Sequence, residues 1–216
     1  MKRGLQRFID NRKLITRSLT KTKRLYRQYD PGWYLYRKLA SEVDIEAKFR
    51  DDFIELVYVT LVAWNMNSRG ARLSNWNTFK QSLYAQRDHF INLASFRLEQ
   101  LSEAVMKDLF SEDVRELFFN LILVSDSKPR LVTCSKTLHF FLPNLFVPID
   151  RKYTLSYFHK STSVPASIEK QYDKFSNIQE ECRRFANRVS LDEFADSIWN
   201  ANIPKTIDNI IIGYQK

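Results

Sequence analysis

The chain has 216 residues, 44% of them hydrophobic, and two cysteines, Cys134 and Cys182. That is apolar side chain enough for a sizeable core, which excludes a chain disordered throughout, and two cysteines exclude a disulfide scaffold or a four-cysteine zinc site. The net charge of +9 lies entirely in residues 1–27, where ten Lys and Arg face one acid, Asp10, and the remainder is neutral.

Only four Gly and six Pro punctuate the sequence, too few for a sandwich of short strands and tight turns. No apolar run is long enough to span a bilayer, and the opening MKRGLQRFIDNRK lacks the apolar segment of a secretory signal. These features predict a cytoplasmic all-α protein: a basic N-terminal arm over 1–27, then a single helical domain over 28–216.

Like charge packed this densely calls for a polyanion. Arg3, Arg7, Arg12, Lys13, Arg17, Lys21, Lys23 and Arg24 are therefore expected to bind nucleic acid. An anionic membrane surface or a solvated tail are the other readings. Leu5, Phe8, Ile9, Ile15, Leu19 and Leu25 give the arm a loose helical spacing. Residues 26–36 read YRQYDPGWYLY, and Asp30-Pro31-Gly32 is a turn signal. The aromatics in and after it, Tyr26, Tyr29, Trp33, Tyr34, Tyr36 and Phe49, are suited to stacking on bases, but burial preference makes them the pin that holds the arm to the domain.

Apolar spacing predicts one long, central helix over Glu42–Met66, closed by Gly70, with Arg69 and Arg72 placed to hold a phosphate or the last carbonyls. Asn75 to Thr78 open the next helix. Ile91–Met106 and Asp113–Val124 read as two more, the second capped by Ser111. Helices over Thr133–Leu142, Asp150–His159, Ile168–Val189 and Leu191–Asn200 follow, and the tail IDNIIIGYQK reads as a helix or an edge strand. The tally is eight or nine helices.

Residues 131–158, LVTCSKTLHFFLPNLFVPIDRKYTLSYF, carry the candidate chemistry. Lys136 sits among Leu138, Phe140, Phe141 and Leu142, where desolvation favours its neutral amine. Asp150 precedes a helix as an N-cap and meets the positive end of that helix. His139, three residues after Lys136, reads as a proton relay or as a satisfied core histidine; Cys134 reads as a buried thiol. Three scattered histidines give no metal site, and the absence of Gly-rich phosphate loops gives no nucleotide cofactor.

A Lys near the start of a short apolar helix, then Pro, an apolar pair and an Asp capping the next helix resembles the core of the helix-hairpin-helix DNA glycosylases. The Gly-rich hairpin of that superfamily is replaced here by Ser127-Lys128-Pro129-Arg130-Leu131-Val132. The resemblance implies a DNA-acting enzyme that excises a damaged or modified base. Lys136 would attack the sugar C1′ and form a Schiff base, and Asp150 would stabilise developing positive charge or activate the nucleophile. The extruded base would enter a pocket built from His139, Phe140, Tyr153 and Tyr157, with Arg151 and Lys152 on the nucleic acid. The alternatives are a non-catalytic nucleic-acid-binding module that uses the basic arm, or a scaffold that docks a partner.

Overall fold

The basic N-terminal stretch is part of the fold and not an arm standing off it. The computed structural model describes residues 4–26, 30–66, 72–125, 129–196 and 199–216; Arg3, Tyr29, Arg69 and Gly70 lie outside them. After a short helix α1 (Gln6–Ile9), helix α2 (Arg12–Leu25) is capped by the Asn11 side chain, which accepts from the Leu14 N–H. Its face of Ile15, Ser18 and Thr22 is buried along the last helix of the chain, α12 (introduced below), and the Thr22 hydroxyl donates to the Asn209 carbonyl there. The physical reason is the pattern itself: one stripe of small and apolar residues lets α2 bury one side while its cations stay on the other.

Helix α3 (Pro31–Ser41) starts at the Asp-Pro-Gly step expected to be a turn. Asp30 is its N-cap, accepting from the Trp33 N–H at 3.0 Å, and Pro31 occupies the first turn, where its missing N–H costs nothing. The long helix expected over Glu42–Met66 is interrupted: a 3₁₀ turn (Ala47–Phe49) and an extended Arg50 precede helix α4 (Asp51–Ala63). Nor is α4 central, since Val59 and Val62 are exposed.

Helices α5 (Trp76–Ala85), α6 (Arg87–Leu93), α7 (Glu103–Ser111) and α8 (Asp113–Asn120) follow. The expected helix over Ile91–Met106 is broken because tertiary partners satisfy its backbone instead: the Leu98 N–H donates to the Asn144 carbonyl, and Arg183 and Asn187 donate to the Leu101 carbonyl. Ser111 ends α7 and is no cap for α8; its hydroxyl bonds the Asp108 carbonyl.

Helix α9 (Leu131–Phe141) takes the central place, every residue of it buried. Its ends are closed from elsewhere. The Gln171 side chain accepts from the Arg130 and Leu131 N–H groups, and the Lys48 ammonium donates to the Phe141 carbonyl at 2.8 Å. After one π-helical turn (Arg151–Leu155) come α10 (Ser156–His159), α11 (Ile168–Ala186) and α12 (Ile203–Tyr214). Among the described residues of 191–200 only Asp192–Phe194 is helical, against the full helix expected there. The described residues form no strand; one isolated β-bridge joins Leu73 and Val124. None of their helices is long and apolar enough to cross a membrane.

The α2–α12 packing depends on Gly213, where any Cβ would overlap the Ser18 carbonyl oxygen far inside van der Waals contact. Gly213→Ala gains up to about 1 kcal/mol of helix propensity but forces two backbones apart in a close-packed interface. We expect a net loss of at least about 2 kcal/mol in urea unfolding; an unchanged or higher stability would show that the two helices can separate freely.

Candidate active site

The backbone around Asp150 is held by buried side chains of its neighbours. Gln179 of α11 clamps Val147 twice, its Oε1 accepting from the Val147 N–H at 2.9 Å and its Nε2 donating to the Val147 carbonyl at 2.8 Å. Ser135 of α9 accepts from the Ile149 N–H at 3.1 Å while donating to the Val132 carbonyl. Residues 135 and 149 are therefore in contact, which brings their chain neighbours Lys136 and Asp150 to one place. Asp150 Oδ1 accepts from the Lys152 and Tyr153 N–H groups at 2.7 and 2.9 Å, as an N-cap of the π-turn.

Lys136 and Asp150 both line a cleft of 210 Å³, whose walls also include Tyr26, Trp33, Trp64, Tyr153, Asp30, Lys205 and Asp208. Lys136 and Lys205 form a nearly buried floor, while Tyr26, Asp30, Asp150 and Tyr153 are half-exposed at the rim. The Lys136 ammonium lies 5.0 Å over the Trp64 ring. Among the described residues it has no hydrogen bond and no ion pair within 4 Å. Burial lowers its pKa below the usual lysine range; Asp150 and Asp208 act against that shift and Lys205 adds to it.

The aromatic wall continues behind the cleft. Trp33 stacks on Trp199 with ring centroids 4.5 Å apart, and Trp199 stacks on Tyr26 at 5.1 Å. Trp64 is pressed against Gly32, where a Cβ would lie 2.7 Å from the indole. Of the aromatics near the expected turn, Tyr26 and Trp33 line the cleft, Tyr36 and Phe49 are buried in the core, and Tyr34 is exposed.

Of the four residues expected to form the base pocket, only Tyr153 lines the cleft. Phe140 packs edge-on against Trp64 on its far side. Tyr157 is buried against Tyr214 and Arg7, away from the opening. His139 is a core histidine: its Nδ1–H donates to the Phe146 carbonyl at 2.7 Å, so Nε2 accepts from the Tyr36 hydroxyl at 2.9 Å. Burial lowers its pKa to about 3, which keeps it neutral. Cys134 is a buried thiol, pushed up to about 12 by the same cause.

The expected nucleic-acid residues divide into two groups. Lys13, Arg17, Lys23 and Arg24 are exposed on α2, which runs directly into Tyr26 at the cleft, and Arg151 and Lys152 are exposed on the other side, beside Asp150. Arg72 is also exposed and Lys21 half-buried. Arg7 is engaged in the fold, bonding the Gly4 carbonyl and the Tyr214 hydroxyl, and Arg12 pairs with Glu193 at 2.6 Å.

Lys205 and Asp208 were not among the residues expected from sequence. They lie one turn apart on α12, each almost fully buried, with Nζ and Oδ2 2.6 Å apart. Burial pushes the Asp208 carboxyl up and also opposes the Lys205 charge, but Asp208, Tyr26 and Tyr36 outweigh that opposition and hold the ammonium above the usual lysine range. We describe the pair as ionic. The readable signal was an Asn202 cap and Pro204 opening an apolar helix that nevertheless carries a Lys and an Asp three apart. A larger groove of 620 Å³ between α7 and α11 offers no comparable group, its Arg184 and Glu180 being paired with each other at 2.8 Å.

Comparison with protein-family models, with curated proteins and with solved structures finds no match for this chain.

Proposed function

We propose that the protein acts on DNA as a glycosylase, releasing a damaged or modified base in the cleft between α9 and α12. One observation carries this reading: a buried lysine that has no carboxylate within ion-pair distance among the described residues and a helix-capping aspartate share one aromatic-walled cleft. Lys23 and Arg24 at the Tyr26 end of α2 and Arg151 and Lys152 beside Asp150 are exposed and suit a phosphate backbone, with Lys13 and Arg17 further along α2. Tyr26, Trp33, Trp64 and Tyr153 give the cleft an aromatic wall that suits a base taken out of the stack.

The chemistry follows from the residue types. The Lys136 amine attacks C1′ as the glycosidic C–N bond breaks, and the bonding pair leaves on the base, which takes a proton from water. Positive charge builds on the sugar in this step, and the fixed Asp150 carboxylate stabilises it electrostatically. The new ammonium then loses a proton, and ring opening gives a C=N linkage with the ring oxygen protonated as a hydroxyl.

Borohydride reduction during incubation with duplexes carrying single deaminated, oxidised, alkylated or abasic sites tests this directly. The expected result is a covalent protein–DNA adduct with at least one duplex, mapped to Lys136 by peptide mass spectrometry and absent from Lys136→Met. DNA binding with no adduct and no base release from any duplex would overturn the enzyme reading in favour of a non-catalytic nucleic-acid-binding module.

A further inference from the structure

A buried ion pair is an expensive way to fill a helix interface. An apolar pair of similar volume in the same place is commonly as stable or more so. Lys205 and Asp208 are the two charged residues among the buried side chains of α12, and they sit at the floor of the cleft that holds Lys136. The Lys205 ammonium is further fixed 5.9 Å from the Tyr26 ring and 5.5 Å from the Tyr36 ring.

The three carboxylates of the cleft are each committed. Asp30 accepts from the Trp33 N–H, Asp150 accepts from two backbone N–H groups, and Asp208 holds Lys205. We propose that Lys205 is a positioning residue for Lys136: by occupying Asp208, it denies Lys136 a carboxylate partner and leaves that amine free to attack an electrophilic carbon. This inference rests on the reading of Lys136 as a nucleophile, but its test needs no nucleic acid.

The two members of the pair act on Lys136 with opposite sign. The charged groups facing it are Asp150 before the π-turn and Asp208 and Lys205 on α12, with the Trp64 ring closing the fourth side. Asp150 and Asp208 favour a proton on Lys136; Lys205 and burial oppose it. Removing the Lys205 charge therefore releases Asp208 to pair with a protonated Lys136. Removing the Asp208 charge leaves Lys205 an unneutralised cation beside Lys136 and drives its proton off more readily. A purely structural role for the pair would move both variants the same way.

Reductive methylation of the intact protein with formaldehyde and cyanoborohydride reads this. Formaldehyde condenses with a neutral amine, losing water, and hydride from the cyanoborohydride reduces the imine. Labelling of Lys136, followed by peptide mass spectrometry across roughly pH 6–10, gives its pH profile. In Lys205→Met we expect the midpoint to move up by about one unit or more, with labelling near neutral pH slowed about tenfold. In Asp208→Asn the midpoint moves down, and Lys205→Arg, which keeps the charge, stays near wild type. Thermal melts confirm that each variant is folded. If a single variant does not fold, Lys205→Gln/Asp208→Asn replaces the pair with two neutral side chains, and its midpoint should lie within about half a unit of wild type. Shifts of the same sign in both single variants, no shift in either, or a large shift in the double variant would overturn the proposal. A failure to trap DNA with the expected labelling profiles intact would count against the glycosylase reading alone.

Discussion

Asp150→Asn is expected to lower base release by about 10²–10³-fold while leaving affinity for duplex DNA within about twofold of wild type. The substitution is nearly isosteric, and the asparagine oxygen still accepts from the Lys152 and Tyr153 N–H groups that Oδ1 now holds. Asn caps helices as well as Asp does, so the π-turn and the position of Tyr153 are kept at a cost of about 1 kcal/mol or less. On the proposed reading, what disappears is the negative charge beside the reacting sugar. The same reading puts DNA affinity on the exposed cations of α2 and on Arg151 and Lys152, whose number does not change. Asp150→Ala removes cap and charge together and should lose stability as well, so the asparagine variant separates the two roles. Gel-based strand scission after alkaline treatment measures release; fluorescence anisotropy measures binding. Unchanged release by Asp150→Asn would remove this residue from the mechanism.

How much of this site was legible beforehand depends on how local each signal is. Lys136 and Asp150 were readable because each departs from its immediate surroundings: a lysine inside an apolar helix, and an aspartate after Pro148-Ile149 at a helix start. The helical class was readable from apolar spacing, and α9, α11 and the start of α5 fall where that spacing puts them. What the spacing could not show is which backbone groups are satisfied by distant partners. Leu98 and Leu101 carry apolar periodicity through a region where only one 3₁₀ turn (Leu98–Gln100) forms, because Asn144, Arg183 and Asn187 take up backbone bonds there. The basic stretch misled in the opposite way. Its charge density reads as a basic arm pinned to the domain at residues 26–36, whereas the small residues Ser18 and Thr22 on α2 and Gly213 on α12 let two helices approach closely enough to bury one side of the arm itself. Lys205 and Asp208 were invisible as site residues for the same reason: only the return of α12 against α2, α3 and α9 places them beside Lys136.

His139 shows how a residue wrongly placed in the pocket still governs the site's stability, and acid should expose it. The imidazole has no exposed surface, donates from Nδ1 to the Phe146 carbonyl, and accepts at Nε2 from the Tyr36 hydroxyl. A second proton would place a charge in the core. Burial accordingly lowers its folded pKa from 6.5 to about 3, and the charges of Lys205 and Lys48 act in the same direction. The linkage then has a definite sign. Above pH 6.5 the ring is neutral in both folded and unfolded chains, and its protonation contributes nothing to the pH dependence. Between 6.5 and about 3 only the unfolded chain takes up the proton, so stability falls as pH falls, by about 1.4 kcal/mol per unit. Across the window the loss is of the order of 4 kcal/mol, a large share of a typical folding free energy. His139→Gln forfeits part of the Tyr36 and Phe146 bonding and should be less stable at pH 7, yet its stability should fall with acid more gently than that of wild type. Urea unfolding at a series of pH values between 7 and 4 measures both slopes, and the difference between them isolates the histidine from the carboxylates that titrate in both proteins. Parallel slopes would mean that the ring takes its proton in the folded state, with Nδ1–H still donating to the Phe146 carbonyl and Nε2–H donating to a turned Tyr36 hydroxyl.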